Sequence, residues 1–129
     1  MIDRYREMDV MTASPTTLVV KLYEGALRNA LQARLRIEEG RIAERAQSIH
    51  KALAIVGELQ GSLDFEKGGE IAVQLHDLYS FINQRLLDAN LNASTQAVDD
   101  AVRVLETLLE GWQEVARNPG AQPTAGAPS

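Results

Sequence analysis

Apolar residues recur every three to four positions along most of this chain, which is the spacing of amphipathic helices. Four segments show the pattern, and no alternating strand pattern competes with it. Ser14 is a good N-cap and Pro15 suits the first position of a helix, so the first segment is predicted to run from there to Glu39. The others cover about residues 41–62, 69–90 and 94–117.

The connections between these segments are short: Gly40, residues 65–68 and residues 91–94. Short connections make consecutive helices antiparallel neighbours. The sequence therefore predicts an all-α fold, an antiparallel up-down four-helix bundle over residues 14–117. Residues 1–13 are predicted to form a short N-terminal arm. Residues 118–129, which are rich in Ala, Gly and Pro, are predicted to form a disordered tail.

Each predicted helix carries more apolar surface than a bundle core requires; on the second helix the apolar arc is roughly 180°, where about 100° suffices, and the first is similar. We assign one stripe of each helix to the core. These core residues are Leu18, Leu22, Ala26 and Ala33; Ile42, Ala46, Ile49, Leu53, Val56 and Leu63; Ile71, Leu75, Leu78, Ile82 and Leu86; and Leu105 and Trp112. The surplus includes Val20, Leu27 and Leu31; Ala52, Ile55 and Leu59; and Val73, Phe81 and Leu87. Contiguous surplus of this kind is typical of a binding groove, although helices with two neighbours also need wide arcs.

Composition narrows the function classes. The chain of 129 residues has no cysteine and a net charge of -5. Disulfides and thiolate catalysis are thereby excluded, and general nucleic-acid affinity is not expected from a mildly acidic protein. No apolar run reaches the ~20 residues needed to span a bilayer, and residues 1–9 lack the apolar stretch of a signal peptide. We expect a cytoplasmic protein with no membrane insertion.

Candidate chemistry is sparse. The two histidines, His50 and His76, lie on different predicted helices without metal-ligand spacing, so no metal, cofactor or small-molecule substrate is expected. His76, Asp77 and Ser80 are helical neighbours, a coincidence common on exposed faces. One alternative stays open, a histidine phosphotransfer module, since those are also four-helix bundles and His50 falls near the edge of a polar face. A second is a structural bundle that self-associates through its surplus apolar surface.

The run of residues 62–72, with Gly68-Gly69 followed by Glu70-Ile71-Ala72, closely resembles the central signature of the FliS family, the flagellar secretion chaperones of flagellin. Its two glycines also mark a helix-loop-helix corner. Further collinear similarity extends over about residues 2–115. It is carried by residues 13–15, 18–19, 22–26, 75–91 and Trp112.

The resemblance implies a protein without catalysis or cofactor that holds the disordered C-terminal segment of flagellin in apolar surface grooves. It also implies that premature polymerisation is prevented and flagellar type III export is aided, with contacts to the export apparatus. On this basis Ile2 and Tyr5 of the arm are expected to form a removable cover. The residues expected to line the groove are Leu31, Ile55, Leu59, Val73 and Phe81.

Overall fold

The computed structural model describes residues 15–118, which form four α-helices. These are α1 (Thr16–Glu38), α2 (Ile42–Gly61), α3 (Phe65–Asn92) and α4 (Thr95–Arg117). Each helix packs against the next, and α1 also packs against α4, which closes the ring. The predicted all-α four-helix bundle is confirmed. The predicted arm, and all but the first residue of the predicted tail, lie outside the described residues. Within residues 15–118, no helix is long and apolar enough to cross a membrane.

Two predicted helix starts need correction. Pro15 is the N-cap of α1 rather than its first helical residue, because its ψ of 148° is extended. The third helix begins four residues before its predicted start at Gly69, since the Asp64 side chain accepts a hydrogen bond from the Lys67 backbone N–H and caps one additional turn. The predicted break then falls at Gly69, whose φ of 53° and ψ of −131° interrupt the helix.

The core is centred differently on α1 and α2 than the sequence predicts. Leu18 is 45% exposed and Ile42 is 66% exposed, although both were assigned to the core. The buried hydrophobics of α1 are Val19, Tyr23, Ala26, Ala30 and Ala33; those of α2 are Ile49, Ala52, Val56 and Leu59. Alanines take the centre of the α1 face because they let neighbouring helices approach closely, and the larger Leu22 is left at its edge.

The predicted core residues of the other two helices are mostly confirmed. Leu75, Leu105 and Trp112 are buried, and Leu78 is partly buried against them. Trp112 packs near the ring of Tyr23, with centroids 6.5 Å apart. Tyr23 of α1 also meets Tyr79 of α3 across the bundle, and their hydroxyl oxygens are 2.5 Å apart. Burial raises the pKa of Tyr79 to about 12 and raises that of Tyr23 well above its ordinary value, so both hydroxyls stay protonated at neutral pH.

Two glycines give a matched test of backbone conformation. A Cβ added at Gly57 or at Gly69 would meet no atom within 4 Å, but Gly57 lies inside α2 whereas Gly69 has a positive φ. Gly57→Ala is expected to raise the free energy of unfolding by about 0.5–1 kcal/mol through helix propensity. Gly69→Ala should lower it by about 1–3 kcal/mol through backbone strain. Urea unfolding followed by circular dichroism measures both, and equal effects of the two substitutions would contradict the assignment of strain to Gly69.

Candidate functional site

Nine large hydrophobic side chains remain exposed among the described residues. They are Leu18, Leu31, Leu35, Ile42, Phe65, Val73, Phe81, Leu87 and Leu91. Single exposed apolar residues are normal on a soluble protein, whereas neighbouring ones mark a surface that another chain can cover. The hydrogen bonds and ion pairs between helices show which of these side chains are neighbours.

Leu31 lies on the side of α1 that faces α4. One turn later, Arg34 donates from Nε to Oδ1 of Asp99 on α4 at 2.7 Å, which fixes that side of α1 toward α4. Residues three and four apart share a helix face, so Leu31 lies on the same face of α1 as the partly buried Leu27 and the exposed Leu35. We call Leu27, Leu31 and Leu35 the α1 row. Leu35 was not among the predicted site residues, although its four-residue spacing from Leu31 was visible in the sequence.

Val73 and Phe81 are both exposed but lie on different sides of α3. The backbone carbonyl of His76, one turn after Val73, accepts a hydrogen bond from Gln60 of α2, which places Val73 toward α2. Arg85, one turn after Phe81, reaches Asp100 of α4 at 3.2 Å, which places Phe81 toward α4. The two side chains therefore flank the outer surface of α3.

The other predicted groove residues are not on this exposed surface. Ile55 is partly buried where α2 meets α1, and a Cβ added at Gly25 would come within 3.3 Å of its Cδ1. This close approach gives Gly25 a packing role. Leu59 is 1% exposed and belongs to the core, because the buried face of α2 is centred nearer to it than the sequence stripe indicated. We therefore remove Leu59 from the groove. Ile2 and Tyr5 lie outside the described residues.

The candidate polar groups His50, His76, Asp77 and Ser80 do not form a reactive arrangement within the described residues. His76 Nδ1 lies 3.7 Å from Asp77 Oδ1, but the Ser80 hydroxyl accepts a hydrogen bond from Gln60 rather than contacting the imidazole. His50 is exposed on α2. In residues 15–118, no three His, Asp or Glu side chains are grouped in a way that could hold a metal ion. The distinctive feature of the surface is apolar area.

Comparison with known proteins identifies the family. A family model described as "Flagellar protein FliS" matches residues 1–119. The chain belongs to the FliS family. It is 38% identical over 111 residues to the flagellar secretion chaperone FliS of Salmonella typhimurium, covering 85% of this chain and 82% of that protein. It is also 37% identical over 114 residues to FliS of Campylobacter jejuni, covering 88% and 89% of the two chains.

A third relative is the flagellar secretion chaperone FliSB of Pseudomonas aeruginosa, which is 36% identical over 110 residues, 85% of this chain and 87% of that protein. These matches confirm the resemblance carried by residues 62–72. FliS proteins are chaperones of flagellar secretion, and a chaperone is not an enzyme.

Proposed function

We propose that this FliS protein acts in the cytoplasm and binds the disordered C-terminal segment of flagellin. Holding that segment prevents premature polymerisation, and the complex is delivered to the flagellar export apparatus as a second partner. Membership of a family of flagellar secretion chaperones supports the proposal. The observation that carries it is the exposure of Leu31 on α1 and of Val73 and Phe81 on α3 in an otherwise well-packed bundle.

The distribution of these side chains favours a segment that wraps around the bundle. Leu31 is exposed on the side of α1 nearest α4, whereas Val73 is exposed on the side of α3 nearest α2. One compact ligand therefore does not reach both side chains. A disordered segment loses conformational entropy when it binds and needs a large apolar contact to compensate. Exposed hydrophobics on several sides provide that contact. Ile55 contributes at the edge, where α1 and α2 meet.

We further propose that Ile2 and Tyr5 cover part of this surface when flagellin is absent. They are two apolar residues in an otherwise charged stretch of the sequence that precedes α1. Flagellin would displace the arm, so replacing both residues with serine should strengthen flagellin binding.

The decisive experiment is a calorimetric titration of the full chain with a peptide of the C-terminal segment of its own organism's flagellin. Saturable one-to-one binding with a negative heat-capacity change supports burial of apolar surface coupled to folding. A flat titration with a folded bundle would refute the proposed function. Sedimentation and phosphate transfer to His50 would then test self-association and the phosphotransfer alternative.

Leu31→Ser and Phe81→Ser are each expected to weaken binding of the flagellin peptide by about ten- to hundredfold, since one buried aliphatic or aromatic contact contributes about 1.5–3 kcal/mol. Leu18→Ser is the matched control: Leu18 is 45% exposed and Leu31 is 50% exposed on the same helix, but Leu18 is outside the α1 row. Circular dichroism should show the same helix content in all three variants. Equal weakening by Leu18→Ser would show that the binding surface has been placed incorrectly.

A further inference from the structure

The three most exposed large hydrophobics of residues 15–118 lie on α2 and α3, close to a hydrogen-bonded bridge between these two helices. Leu91, Ile42 and Leu87 are 81%, 66% and 56% exposed. The bridge joins α2 to α3: Arg45 donates from Nη2 to the backbone carbonyl of Asn90 at 2.9 Å. Ile42 precedes Arg45 by three residues, Leu87 precedes Asn90 by three and Leu91 follows it. Helix geometry therefore brings the three aliphatic side chains together around Arg45.

Arg45 differs from the other arginines at this end of the bundle. Its two contacts within residues 15–118 are the carbonyl and side-chain oxygens of Asn90, so no carboxylate of that range compensates its charge. The neighbouring arginines are all in ion pairs. Arg34 pairs with Glu38 and Asp99, Arg36 with Glu39, Arg41 with Glu39 and Glu44, and Arg85 with Asp88 and Asp100. The surface around Ile42, Leu87 and Leu91 thus combines exposed aliphatic area with one cation that no carboxylate of residues 15–118 compensates.

We propose that Ile42, Leu87, Leu91 and Arg45, which we call the Arg45 patch, form a second docking surface for an amphipathic helix of another protein. The occupant carries aliphatic residues about one turn apart and a carboxylate beside them. Its aliphatic side chains cover the exposed leucines and isoleucine, and its carboxylate accepts a hydrogen bond from the Arg45 guanidinium. Charge-assisted hydrogen bonds of this kind strengthen when apolar groups exclude water around them.

The patch is distinct from the proposed flagellin surface. The α1 row faces α4, whereas the Arg45 patch lies where α2 meets α3, on the other side of the bundle. Val73 is on the same side of α3 but lies 14 residues, about four turns, before Leu87. Because of this separation, we expect flagellin and the second partner to bind at the same time.

Two synthetic helical peptides test the proposal. The first has leucines at four- and three-residue spacing with glutamates beside them. The second has glutamine in place of every glutamate, which changes the charge with little effect on helix propensity. Each is titrated into the full ¹⁵N-labelled chain, and backbone amide shifts locate the contact. We expect shifts centred on residues 42–46 and 84–92, and about tenfold tighter binding of the glutamate peptide.

Substitutions separate the apolar and ionic contributions. Leu91→Ser should weaken the binding of both peptides about tenfold. Leu18→Ser, which changes an exposed leucine elsewhere, is the control and should leave their binding unchanged. Arg45→Gln should remove the preference for the glutamate peptide. Arg28→Gln, which makes the same charge change on α1, should retain it. Saturating flagellin peptide should leave these affinities unchanged, so this test can succeed or fail independently of flagellin binding.

Several results would overturn the proposal. They are no binding of either peptide, equal affinity for the two, shifts centred outside the patch, or competition with the flagellin peptide. Concentration-dependent shifts at residues 42, 87 and 91 without peptide, lost together with dimerisation in Leu91→Ser, would instead assign the patch to a second copy of this chain.

Discussion

Replacing Trp112 with alanine is expected to produce the largest loss of stability in this protein, about 3–5 kcal/mol of unfolding free energy. The side chain is 1% exposed and lies between α4 and the ring of Tyr23 on α1. With few aromatic residues in the core, removal of the largest one leaves a cavity that rigid helices cannot collapse to fill. A domain of this size has a total stability of about 5–15 kcal/mol, so the variant should be close to unfolding at elevated temperature.

Urea unfolding monitored by far-ultraviolet circular dichroism measures the loss without relying on tryptophan fluorescence. Leu18→Ala provides the control, because Leu18 is exposed and its truncation leaves no cavity. We expect that variant to remain within about 0.5 kcal/mol of the parent. A loss below about 1 kcal/mol for Trp112→Ala would contradict its place in the core.

The number and order of the helices could be predicted from the sequence because their boundaries depend on local chemistry. Gly40, with a φ of 71°, ends the first helix where only glycine fits easily, and the Ser94 side chain caps the last by accepting from the Ala97 backbone N–H. The extra turn before Gly69 was missed because the Asp64 cap stabilises it against two adjacent glycines. Whether the cap outweighs the two glycines depends on the hydrogen-bond geometry between Asp64 and Lys67, which residue spacing does not show.

The rotation of α1 and α2 about their axes could not be predicted from the positions of the large apolar residues. Ala26 and Ala33 were assigned to the core and are fully buried, but Ala30 was not, because alanine contributes little to a hydrophobic stripe. All three are buried because the distance between helices at those points admits a methyl group and little more. This small rotation moves Leu18 outward and Leu59 inward. An error of this kind confuses groove with core, which is why Leu59 was placed in the candidate site.

The candidate site itself was only partly visible in the sequence. Leu31, Val73 and Phe81 could be recognised as surplus to the core and are exposed in the structure. Their placement toward α4 or toward α2 depends on the pairs Arg34–Asp99 and Arg85–Asp100 and on the Gln60–His76 hydrogen bond, each of which joins two different helices. The Arg45 patch was missed for the same reason, since its arginine is distinguished only by the absence of a carboxylate within residues 15–118.

The buried tyrosine pair leads to the second large effect that we expect. Tyr23→Phe or Tyr79→Phe alone should each lower the free energy of unfolding by about 1–3 kcal/mol, because the remaining hydroxyl keeps its desolvation cost after losing its partner. The double variant should be nearly as stable as the parent, because it removes both polar groups from the core together. Both hydroxyls are neutral at pH 7, so no charge effect complicates the comparison.

A double-mutant cycle by urea unfolding at neutral pH measures this coupling directly. Because the double variant should lose almost nothing, the two single losses should fail to add by nearly their whole sum, about 2–6 kcal/mol. Ser80→Ala serves as a control, since its hydroxyl is exposed at the surface and bonds only to Gln60 among the described residues. Additive losses in the cycle would mean that water or another group satisfies each hydroxyl separately. The Tyr23–Tyr79 contact would then not be the interaction that joins α1 to α3 across the core.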